Sequence, residues 1–119
     1  MVKYTISVPY DVASMVSASK VKELAVLFAR TRMELQRRWE TLSDLIRFYD
    51  KGCRGVDKAD CKSIAYIAVE TVMNAVYFEP LRKALDYIRN RLAAGGASAE
   101  DLDKVMDLVK DIVQYFAQG

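Results

Sequence analysis

Apolar positions recur three and four residues apart over most of this chain, and they alternate with polar ones only at its start. In "VKYTISV" (2–8), Val2, Tyr4, Ile6 and Val8 share one side and Lys3, Thr5 and Ser7 the other, which is strand periodicity, and Pro9 stops it. A lone strand cannot satisfy its own backbone groups, so the pattern predicts either pairing with the same strand of another chain or an extended arm over residues 1–10. Both readings point outside the monomer. Asp11 is placed to cap a short helix, "VASMVSAS". One long helix is then predicted from Ser19 to Tyr49. Its stripe is Val21, Leu24, Phe28, Leu35, Trp39, Leu42, Ile46 and Tyr49, with Thr31 filling one slot. That spacing is the seam of a helix packed lengthwise on a partner, and it puts Trp39 in the packing.

"DKGCRG" ends this helix, and Asp57 or Asp60 starts the next. Its body is "IAYIAVETVMNAVYF" (64–78), 12 of whose 15 residues are apolar. Only a narrow side carrying Ser63, Glu70 and Asn74 is polar, which predicts a central helix buried on several sides. The window is too short to span a bilayer. Glu79-Pro80 kinks the helix or opens a new one, in which Leu81, Leu85, Ile88 and Leu92 turn inward. "GGAS" (95–98) is the clearest turn. Ser98 is set to cap a last helix with the stripe Leu102, Val105, Met106, Val109, Ile112, Val113 and Phe116, and Glu100 and Asp101 suit its positive end. No internal repeat is visible. The expectation is all-α: one helical domain over 1–119, a four-to-five-helix bundle with a short extended, strand-like N-terminal arm.

Composition narrows the chemistry. The 119 residues are 52% hydrophobic and 29% charged, with a net charge of +2, too small for its magnitude to imply nucleic acid. No continuous apolar signal segment opens the chain, so a cytoplasmic location is expected, with no membrane partner. Histidine is absent, which removes the usual general base and the commonest metal ligand. No serine or cysteine has an activating base, and no glycine loop cradles phosphate. The expectation is therefore no enzyme, no cofactor and no metal. Asp101, Asp103, Asp107 and Asp111 share one helix but alternate with Lys104 and Lys110, which reads as a solvated face. Cys53 and Cys61 in "CRGVDKADC" make neither a zinc site nor a C-x-x-C pair. Two buried or free thiols are the first reading, and a disulfide pinning the loop is the second. Few Asn and Gln are compatible with a thermophile source.

What remains is the arginines. "ARTRMELQRRWE" (29–40) places Arg30 and Arg37 opposite the apolar stripe, with Glu34 four residues from both Arg30 and Arg38. Arg32 borders the stripe near Phe28 and Trp39. A second cluster, Arg82, Lys83, Arg89 and Arg91, surrounds Tyr87. Basic residues among aromatics can hold phosphates and stack bases. They can equally be solvated faces with their stems laid over apolar surface.

Two resemblances bear on the choice. "YTISVPYDVA" followed by "RTRMELQRR" resembles the ribbon-helix-helix DNA-binding repressors over about the first 40 residues. That resemblance implies a dimer reading bases with Lys3, Thr5 and Ser7. "TLSDLIRFYD", "LDYIRNRL" and "DLVKDIVQYF" are similar to segments of the small helical subunits of CRISPR effector complexes. This second resemblance implies a cytoplasmic antiviral-defence role of archaeal type, with Arg47, Arg82, Arg89 and Arg91 touching RNA or DNA backbone.

Three expectations follow. The first is a non-enzymatic subunit of a nucleoprotein assembly, using Arg32, Arg37, Arg47, Arg82, Lys83, Arg89 and Arg91. The second is the dimeric ribbon-helix-helix regulator. The third is a structural or coat module that binds protein and no nucleic acid. All three imply a homo-oligomer or a subunit of a larger complex.

Overall fold

The computed structural model describes residues 6–9, 11–19 and 22–118, and all regular structure among them is helical. The helices are α1 (Val12–Ser17), α2 (Leu24–Arg37), α3 (Trp39–Gly52), α4 (Ala59–Ala75), α5 (Glu79–Ala94) and α6 (Ala99–Gln118). The all-helical class is as expected, and the described residues form six helices where four or five were expected, chiefly because the predicted long helix is two.

The division falls at Arg38, whose backbone leaves helical geometry at φ −101° and ψ 6°. Its guanidinium donates to the Glu34 main-chain carbonyl at 3.3 Å as well as to the Glu34 carboxylate. A straight helix over 19–49 would be about 46 Å long, the full 44 Å length of the molecule. The break lets α2 pack on α4 and α6 while α3 turns onto α4. It also removes Trp39 from the seam: Leu35, Leu42 and Tyr49 are buried, but Trp39 is 49% exposed at the corner. Val21, the first residue of the predicted stripe, lies outside the described residues.

The central position of α4 is as expected. It packs against α2, α3, α5 and α6 and buries Cys61, Ala65, Ala68, Val69, Val72, Met73 and Ala75. It starts after Lys58, whose ammonium can donate but not accept, so the helix has no side-chain cap, and Asp57 pairs instead with Lys62 at 3.1 Å. The apolar window outlasts the helix: Val76 and Phe78 are extended, buried residues flanking an outward Tyr77. The Tyr77 N–H donates to Thr31 Oγ1 at 3.1 Å, which accounts for a wholly buried threonine in the stripe of α2. Pro80 sits in the first turn of α5, where a missing N–H costs nothing.

Gly95 ends α5 at φ +84°, a conformation that side chains disfavour. Ser98 and Asp101 then cap α6 reciprocally, each side chain accepting the other's backbone N–H at 3.1 Å. Phe116 gathers Phe28 at 4.9 Å and Phe78 at 5.9 Å between ring centroids, joining α2, the α4–α5 link and α6.

Two further expectations change. Cys53 and Cys61 form a disulfide, both residues buried, closing the turn between α3 and α4. The helix ends bring the two α-carbons to 5.5 Å, so the second reading of the cysteines is the one observed. The arm also turns inward where it is described. Ile6 is 4% exposed, Val8 is half-buried, and 6–9 border Lys104, Asp107, Leu108 and Asp111 of α6. Ile6 thus joins the chain's own core cluster, and the rest of the arm, residues 1–5 and 10, lies outside the described residues.

Candidate functional site

The basic side chains fall into separate settings. On α2, Arg37 pairs with Glu34 at 3.1 Å, and Arg38 binds the same carboxylate. The Arg38 guanidinium, then that of Arg37, holds the Glu34 carboxyl below its ordinary range. Arg30, expected to share Glu34, instead stands 5.2 Å from the centre of the Tyr77 ring. On α3, Arg47 pairs with Asp44 at 2.7 Å. On α5, Lys83 pairs with Glu79 at 3.0 Å, and Arg89 reaches Asp86 at 2.8 Å and Glu70 of α4 at 3.6 Å. Arg82 is exposed and Arg91 half-buried. Arg82, Lys83 and Arg89 line a shallow depression between α4 and α5 together with Met73, Asn74, Glu79 and Asp86, so its charge is mixed.

Arg32 is set apart. It is half-buried, and among the described residues no carboxylate pairs with it. It lines a groove of about 210 Å³ with Leu35, Gln36, Trp39, Val113, Phe116 and Ala117. The walls come from α2, the first residue of α3 and the end of α6, and only Arg32 and Gln36 are polar. No residue lines both this groove and the α4–α5 depression, so Arg32 and the α5 cluster do not share a cleft. Of the ribbon residues, Ser7 is exposed, and Lys3 and Thr5 lie outside the described residues.

The acidic face of α6 is more than a solvated surface. Asp101 is the buried cap. Asp103 accepts the Tyr49 hydroxyl at 2.6 Å and the Gly55 N–H at 3.2 Å. Gly55 turns the chain at φ +71°, which lets its N–H face α6. Asp107 takes Arg54 at 2.7 Å, and Arg54 also bonds Asp50 at 3.0 Å, which holds Lys110 at 2.7 Å. Burial pushes the Asp50 carboxyl up, but hydrogen bonds from Lys110 and Arg54 outweigh it and leave the group below its ordinary value. Asp107 raises the Arg54 value. Burial first, and then the bond to Asp103, pushes the Tyr49 phenol well above its ordinary value. These aspartates tie the α3–α4 turn to α6. Among the described residues, no cluster of His, Cys, Asp or Glu is arranged to hold a metal ion. Nor is any helix long and apolar enough to cross a membrane.

No family model, no curated protein and no solved structure matches the chain. The groove escaped sequence reading because its floor comes from residues about 80 apart, Leu35 and Phe116. A signal was available in Arg32, the one arginine of its segment bordering the apolar stripe.

Proposed function

We propose that this protein is a helical interaction module that docks a protein partner through the Trp39 groove. The observation that carries the reading is the groove itself: an apolar cleft with a half-exposed tryptophan on its rim and, beside it, an arginine that pairs with no carboxylate among the described residues. Tryptophan and arginine are the side chains most often found to dominate protein interfaces. At about 210 Å³ the groove is smaller than the ~300–1,000 Å³ of small-molecule sites. It suits one or two anchoring side chains of a partner. The state of the other basic residues supports the same reading. Arg37, Arg47, Lys83 and Arg89 are each engaged by a neighbouring carboxylate, so a phosphate backbone would compete for them.

Two measurements test this. Calorimetry with 8-anilinonaphthalene-1-sulfonate, an anionic apolar probe, is expected to show one site that Trp39→Ala abolishes and Arg32→Gln weakens. Titration with single- and double-stranded nucleic acid at low salt is expected to show no binding. Binding that falls steeply with salt and depends on Arg82 and Arg89 would overturn the reading in favour of a nucleoprotein subunit.

A further inference from the structure

The Trp39 groove has two unlike walls. Its α6 wall, Val113, Phe116 and Ala117, is wholly apolar. Its other wall is a single strip, because Arg32, Leu35, Gln36 and Trp39 follow one another at helical spacing. That strip carries all the polar groups of the lining: the Arg32 guanidinium, the Gln36 amide and the Trp39 indole N–H. None of these three side chains bonds to another described residue. A guanidinium and an indole only donate, and no carboxylate lines the cleft to receive them. An occupant therefore turns an apolar group toward α6 and brings acceptors to α2, where an anion gives the strongest bonds.

The spacing within the strip narrows the occupant further. Arg32 and Gln36 flank Leu35 within about one helical turn, roughly 5.4 Å along the axis, so the ligand's apolar group and its anion lie equally close. In an extended segment the adjacent side chain points the other way, and the next on the same face is about 6.7 Å on. A whole helix, about 10 Å across, does not enter a cleft of about 210 Å³. The last residue of a chain has both groups on one α-carbon, and its two carboxylate oxygens match the fork of a guanidinium. We propose that the groove receives the free C-terminus of a partner protein ending in an apolar residue. The last side chain sits between Trp39 and Phe116, and the terminal carboxylate meets Arg32 and Gln36. This rests on the reading of the groove as a docking site and names what docks there.

Calorimetry with three model peptides tests this. They are acetyl-Ser-Gly-Ser-Leu with a free carboxylate, the same peptide as its amide, and acetyl-Ser-Asp-Ser-Leu-Ser amide, whose carboxylate is internal. The free acid is expected to bind the wild-type chain about tenfold more tightly than either amide, the ratio for one charge-assisted hydrogen bond. Arg32→Gln should bring the acid and its amide to the same affinity, whereas Trp39→Ala should weaken both together. An unchanged helical circular dichroism spectrum shows that each variant is folded. Equal binding of acid and amide to wild type, an internal carboxylate that serves as well as a terminal one, or no binding by any peptide overturns the proposal. If the sulfonate probe still binds wild type and not Trp39→Ala in such a case, the groove remains a docking site and only the partner was misassigned. If the probe fails as well, the docking reading falls with it.

Discussion

Tyr49 shows how much one side chain can hold at a distance. Its ring is fully buried, while its hydroxyl reaches Asp103 on a helix 54 residues away. Tyr49→Phe keeps the ring and deletes the donor, and the change should cost about 1.5–3 kcal/mol, the range for a hydrogen bond to a charged acceptor. The effect has a pH signature with a definite sign. The phenol is neutral when protonated, and its native value lies above the ordinary one near 10. Its contribution is therefore complete below pH 10 and is lost as pH rises toward the native value. Denaturant melts of wild type and Tyr49→Phe should differ most at pH 8 and converge above pH 10. The sequence placed Tyr49 in the core from its spacing, but nothing local could pair it with Asp103. Thr31 is similar: its slot in the stripe was legible, whereas its acceptor role depends on Tyr77, 46 residues on.

At the scale of elements, inward stripes and stops were legible wherever local chemistry marks them. Pro80, Gly95 and the Ser98–Asp101 box each stand at a helix boundary. The break at Arg38 had no such mark, because Leu35, Trp39 and Leu42 keep the helical spacing across it. Only packing against α4 and α6 makes the bend worthwhile. The α3–α4 turn was legible as a turn but not as a staple. The disulfide closes a loop with a sequence separation of 8, and chain entropy assigns such a loop about 2.5 kcal/mol. Reduction with a dithiol should accordingly lower the Tm by roughly 10 °C for a chain of this length. Scanning thermal unfolding with and without reductant checks this, and Cys53→Ala with Cys61→Ala should match the reduced protein in both conditions. The Arg54 and Lys110 pairs across the same turn are half-exposed and secondary to it.

At the scale of the whole molecule, helical class and a central α4 follow from pattern alone, but the neighbours of each surface residue do not. Arg32 and the α5 arginines looked equivalent in composition, yet Arg32 lines an apolar groove while Arg82 and Arg89 sit among carboxylates. The arm is another case: alternation suggested a strand, and packing placed Ile6 against α6 instead. Ile6→Ala should then lower stability by about 2 kcal/mol, the low end for a buried isoleucine truncated at the edge of a core. A solvated arm would give no change in the urea midpoint. The position of Trp39 has one more consequence. The chain's single indole stands half in water at the rim of the groove rather than in the core. Its native emission should already be red-shifted, so optical melting curves read through it will understate the collapse of the interior. Conversely, a blue shift at constant temperature would report directly that something has covered the rim.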